Sequence, residues 1–158
     1  DLSEKEVIEY INRVKKELEG LNIPVCYVDT YYEYSRRPNL IEASDIILTN
    51  CYPFWEGSSI DHSLFHLRQI HAITQKVANG KKIIITETGW PSQGETLQKA
   101  DSTKLNAMKY FIQTQEWAIS EGIEVFYFSS FDESWKVKTE GELGACWGIW
   151  DKDEKLKY

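Results

Sequence analysis

Two glutamates, Glu87 and Glu133, have the surroundings in this chain that acid, base or nucleophile chemistry needs. Glu87 lies in the run Ile83-Ile84-Ile85-Thr86-Glu87-Thr88-Gly89-Trp90-Pro91-Ser92. The β-branched residues read as a strand buried on both faces, as in parallel sheets. Gly89 and Pro91 end that strand at once. A carboxylate is thereby carried to the carboxyl end of a buried strand, the end where α/β folds keep their chemistry. The alternative is a structural one, in which Glu87 caps a following helix or pairs with a core arginine. Charged groups are seldom buried without a partner or a purpose, which weighs towards a role in a site.

Glu133 follows the next apolar run, in Phe131-Asp132-Glu133-Ser134-Trp135-Lys136. Glycoside hydrolysis uses two carboxylates, one to attack or activate and one to protonate the leaving oxygen, about 5–5.5 Å apart for retention. Neighbouring strands end roughly 5 Å apart, so adjacent strands could supply such a pair. The alternative for Glu133, of equal weight, is an ion pair with Lys136, three residues on. Tyr52, Trp55, Trp90 and Trp135 fall in the loops that follow the strands. Flat sugar rings pack on aromatics while their hydroxyls seek carboxylates, amides and Lys, so these loops suit sugar subsites. Each aromatic could instead be a lid over the core.

Other chemistries find little support. His62 and His66 stand four apart, a metal-ligand spacing on a helix, but no Cys or carboxylate pattern completes a metal site. Ser92, Ser129 and Ser130 lack the G-x-S-x-G setting of a hydrolase nucleophile. The nine glycines form neither a GxGxxG nor a P-loop, so no nucleotide cofactor, and indeed no cofactor at all, is expected. A net charge of -7 without a cluster of Lys and Arg argues against nucleic acid or an anionic membrane as partner. No segment approaches the ~18 apolar residues of a membrane span. Three widely spaced cysteines, Cys26, Cys51 and Cys146, argue against a disulfide framework. Asp1-Leu2-Ser3-Glu4 opens on a helix-start pattern rather than a signal peptide, and the residues alone do not place the protein in a compartment.

The elements that must position these groups alternate along the chain. Ser3 to Glu19 reads as a helix, with Ser3 and Glu6 as a capping box and Val7, Ile8, Ile11, Val14 and Leu18 as its apolar stripe. Strands are expected at Val25–Val28, Ile46–Leu48, Ile83–Thr86 and Val125–Phe128. Helices are expected from Asp61 to about Asn79 and from Thr103 to Ser120. A short helical turn lies near Asn39 to Ala43, and Tyr31 to Tyr34 reads as a loop. Every strand starts apolar and finishes polar, and parallel strands joined by helices put those finishing ends on one face. Asp29, Asn50 with Tyr52, Glu87 and Glu133 therefore converge on one rim. At 158 residues, one domain spanning 1–158 accounts for the chain.

The stretch Ile84 to Gly94, IITETGWPSQG, resembles the nucleophile strand of family 17 of the glycoside hydrolases, the β-1,3-glucanases and related glucanosyltransferases. VDTYYEY, DIILTNCYPFWEG, LNAMKYF, FYFSSFDESWK and GACWGIWDKDEKLK follow the family in order, closer to its microbial branch than to the plant enzymes. The resemblance implies a (β/α)8 barrel acting on β-glucan with retention. Glu87 takes the nucleophile position and Tyr52 the tyrosine beside it. Glu133 and Lys136 match a glutamate and a lysine near the subsites. It also implies a secreted or wall-associated setting. The family's acid/base glutamate stands in an Asn-Glu dipeptide on the fourth barrel strand, and this chain contains no Asn-Glu. A whole barrel typically takes about 250 residues. The expectation is the C-terminal half of a TIM barrel, strands five to eight, completed by an upstream half-barrel or by self-association. A glucan-binding half-barrel without turnover is the alternative.

Overall fold

The computed structural model describes residues 2–158. Four strands, β1 (Val28–Thr30), β2 (Ile47–Asn50), β3 (Ile83–Thr88) and β4 (Glu124–Tyr127), form one sheet in the order β1-β2-β3-β4. All three pairings are parallel. Helical crossovers make this arrangement possible, since each returns the chain to the starting side of the sheet. Between β1 and β2 lie α2 (Tyr31–Arg36) and α3 (Pro38–Ala43). Helix α4 (Ile60–Val77) joins β2 to β3, and α5 (Lys104–Glu121) joins β3 to β4.

Helix α1 (Glu4–Glu17) begins on the expected capping box: the Ser3 side chain accepts from the Glu6 backbone while Glu6 accepts from the Ser3 N–H. Only Val7 and Ile11 of its stripe are buried, against Leu40 of α3. Helix α5 is capped by the Thr103 side chain and ends at Gly122, whose φ of 65° is the left-handed geometry that terminates helices. The main core lies between the sheet and helices α4 and α5. Ile85, Cys51, Phe54, Leu67, Ile70, Tyr110, Trp117 and Trp147 meet there.

Three expectations shift. The first strand is Val28–Thr30 rather than Val25–Val28, because pairing is decided by β2, whose Leu48–Asn50 align with those residues. Val25 is satisfied off the ladder, its N–H donating to the Asp45 carboxylate and its carbonyl accepting from the Asp45 N–H. Residues 31–34 are helical rather than loop. Tyr34 turns inward and its hydroxyl lies 2.5 Å from the Tyr27 carbonyl and 2.8 Å from that of Leu48, while Glu33 pairs with Arg36 and Arg37. A 3-10 turn (Ser134–Lys136) and α6 (Val137–Ala145) follow β4, where no helix was expected. Apolar periodicity is weak across that segment, and its helix breaks at Gly141, which has φ 72°.

Candidate active site

Glu87 sits one residue before the end of β3, opposite Asn50 at the end of β2. The register slips on both sides of it, between Thr49 and Asn50 and between Ile85 and Thr88. Such irregularities re-aim side chains at strand ends. The backbone of Glu87 is held by the Cys51 N–H, which donates to its carbonyl at 2.8 Å, and Thr86 donates to the Asn50 side chain at 2.8 Å. Gly89 then lets β3 pass against β4. A Cβ there would stand 1.9 Å from the Phe128 carbonyl oxygen, so no other residue fits without parting the strands.

The half-buried Glu87 carboxylate accepts a hydrogen bond from Tyr52 Oη to its Oε2 at 2.8 Å. The Tyr52 ring is pinned edge-on by Trp147 (centroids 5.4 Å apart) and Phe128 (6.3 Å). Burial, then the negative charge of Glu87 and the bond to it, push the Tyr52 phenol well above its ordinary range. The raised phenol keeps its proton at neutral pH, so Tyr52 donates to Glu87.

Beyond Phe128 the site continues to Lys136, whose Nζ lies 4.5 Å over the Phe128 ring and 5.3 Å from the Trp135 centroid. Lys136 also pairs with Glu133 at 2.6 Å, the ion pair weighed from the spacing. The two form a charged unit on an aromatic bed, suited to gripping sugar hydroxyls. Trp55 is 46% exposed and Trp135 67% exposed, both open to solvent at the rim.

Trp90 is a correction: it is 1% exposed and lines no subsite surface. Its indole N–H donates to the Asp101 carbonyl at 2.9 Å, and Phe54 and Tyr110 pack on it. Bulk at that position completes the core under the end of β3. His62 and His66 each hydrogen-bond a loop serine, Ser59 and Ser58, and His66 also meets Glu56. Among the described residues no group of three His, Cys, Asp or Glu gathers as a metal would require.

Three contributors escaped sequence reasoning. Phe128 and Trp147 flank Tyr52, and Lys157 lies almost buried, donating to Ser92 Oγ and Asp132 Oδ1 at 2.7 Å each. Asp132 also accepts from the Gly148 N–H at 2.9 Å. Lys157 thus ties the loop after β3 to the loop after β4. A large aromatic followed at once by glycine, Trp147-Gly148, was a usable signal, and in the structure a Cβ at Gly148 would meet the Asp132 N–H nitrogen at 2.2 Å. Lys157 offered none, being one lysine among several near the end of the sequence.

Comparison with known proteins relates nearly the whole chain to a family of enzymes. Residues 1–148 match the family model of the BtgE/BtgC glycoside hydrolase domain. A glucan 1,3-beta-glucosidase, BGL2, of Candida albicans is 29% identical, with the match covering 100% of this chain and 58% of that protein. A probable family 17 glucosidase, SCW10, of Saccharomyces cerevisiae is 30% identical over 94% of this chain and 38% of its own length. An active-site mutant of Rhizomucor miehei beta-1,3-glucanosyltransferase, solved in complex with laminaritriose, superposes with a TM-score of 0.92. That match is 28% identical and covers 99% of this chain and 56% of the other. The chain therefore spans between about two fifths and three fifths of the length of these relatives. With a matched segment that takes in nearly all of its residues, the chain belongs to the BtgE/BtgC glycoside hydrolase domain family.

Proposed function

We propose that this chain carries the nucleophile half of a retaining glycosidase or transglycosylase acting on β-1,3-glucan. The observation that carries the reading is the Tyr52–Glu87 hydrogen bond of 2.8 Å at the finishing ends of two adjacent parallel strands. Tyr52 fixes Oε2, and Oε1 of Glu87 attacks the anomeric carbon to form the covalent glycosyl intermediate, which water or a sugar hydroxyl then resolves. Glu133 and Lys136 grip hydroxyls, and Trp55 and Trp135 offer ring faces to the sugar.

The four strands are the fifth to eighth of a TIM barrel, and 1–158 is part of one catalytic domain. β1 and β4 each have a neighbour on one side only, and Phe126 on β4 is 64% exposed. Open edges of this kind call for a partner, either an upstream half-barrel or a second copy. Proton donation to the leaving oxygen belongs to a carboxylate from that partner, since Glu133 is already committed to Lys136. A β-glucan substrate fits a setting outside the cell or in its wall. The alternative, a glucan-binding half-barrel without turnover, draws on the lack of an Asn-Glu dipeptide. Against it stands a carboxylate held half-buried by a dedicated phenol, which simple binding does not require.

The test is Glu87→Gln in the assembly that closes the barrel, assayed on laminari-oligosaccharides. Turnover should vanish while melting temperature and oligosaccharide binding persist, because the change is isosteric. Wild-type turnover in the variant refutes the nucleophile assignment. No turnover by the wild-type assembly, with binding intact, establishes the binding module instead.

A further inference from the structure

A cleft of about 720 Å³ opens beside the site, between the loop at 93–97 and the segment 140–143 of α6, with Trp55 as one wall. Glu87, Tyr52, Glu133 and Lys136 do not line it. Trp147 separates the two regions, packing on Tyr52 at 5.4 Å and on Trp55 at 5.3 Å between centroids. The volume falls within the roughly 300–1,000 Å³ of small-ligand sites.

The lining has one chemistry. Trp55 keeps nearly half its surface open although Phe54 and Trp147 hold its ring in place. Around it stand Gln93, Glu95, Thr96 and Glu142, all exposed and all able to bind hydroxyls. The carboxylates repel phosphate or sulfate. They do not form a cation cage, since among the described residues no set of three His, Cys, Asp or Glu is placed for one. The walls are also close at the base: a Cβ on Gly94 would lie 2.8 Å from Leu143 Cβ. A rigid indole face ringed by uncharged and anionic acceptors matches a neutral sugar chain, apolar on the ring face and rich in hydroxyl donors at its edge.

We propose that this cleft is a second saccharide-binding site, which holds a short neutral β-glucan segment beside the chain being processed at Glu87. The inference rests on the glucan reading above and adds a site to it. A chain held there stands next to the catalytic groove through the shared Trp55–Trp147 wall, positioned as an acceptor or a branch.

The test is a laminaritriose titration of the isotope-labelled chain within the assembly that closes the barrel, followed by NMR. The Thr96 and Leu143 amides report the cleft, and the Tyr52 and Gly89 amides report the groove; Trp55, which both share, is not used to tell them apart. Both sets should shift in the wild type. Glu95→Ala combined with Glu142→Ala, and separately Gln93→Ala, should weaken the cleft response at least tenfold and leave the groove response in place. These side chains are exposed, so the variants should fold. Shifts in the groove alone overturn the second site while sparing the glucan reading. Silence in both sets overturns the two together. Unchanged cleft binding in both variants, or stronger cleft binding by a glucosamine trisaccharide than by laminaritriose, also overturns the proposal.

Discussion

Tyr52→Phe isolates the contact on which the site is built. The substitution removes one hydroxyl and keeps the ring that Trp147 and Phe128 grip, so packing is preserved. What is lost is a single hydrogen bond of 2.8 Å to a carboxylate. Bonds to charged groups contribute about 1.5–3 kcal/mol. If that energy serves to aim Oε1, its loss appears in the barrier for attack, and at about 1.4 kcal/mol per decade the rate falls roughly 10- to 150-fold. The assay is kcat/KM on laminari-oligosaccharides in the barrel-closing assembly, beside a thermal melt. The alkaline side of the pH profile should keep its shape in the variant, because burial and the charge of Glu87 already hold the Tyr52 proton in place. A rate within twofold of wild type refutes the orienting role. A new alkaline limb lost with the hydroxyl would show that Tyr52 itself titrates, contrary to its surroundings.

Two further outcomes separate core from groove and test the fold's response to acid. Trp90→Ala should cost about 3–5 kcal/mol for the lost bulk plus about 0.5–1.5 kcal/mol for the lost hydrogen bond to the Asp101 carbonyl, lowering Tm by roughly 7–26 °C. Trp135→Ala, on an open surface, should leave Tm nearly unchanged and weaken oligosaccharide binding, and the reverse pattern in melts and titrations would invert the two assignments. Buried His71 packs on Trp117, and desolvation lowers its pKa from 6.5, opposed in part by Glu121. Its neutral form is favoured in the folded state, so its contribution is present above about pH 6.5 and is lost as pH falls below that value. Melts from about pH 7 down to 5 should therefore show a steeper loss for wild type than for His71→Gln, and parallel slopes would refute the linkage.

Sequence alone determined the order of the four strands and of helices α1, α3, α4 and α5, the parallel α/β class and the arrival of Glu87 at a strand's finishing end. These follow from local signals: β-branched runs, the Ser3–Glu6 capping box, and breakers such as Gly89 and Pro91. It also brought Glu133 and Lys136 within ion-pairing reach, because they are three residues apart. Tertiary structure decided which groups meet across distance. Trp55 and Trp90 read alike as loop aromatics, yet one faces solvent and the other completes the core, since burial depends on what packs from β2, α5 and the 97–101 loop. Val25–Val28 lost its strand to Val28–Thr30 because ladder register is set by the neighbouring strand rather than by propensity. The Tyr52–Glu87 bond joins residues 35 apart, and the Lys157–Ser92 bond joins residues 65 apart. No periodicity encodes such pairs, because they exist only once the sheet has set its strand ends side by side.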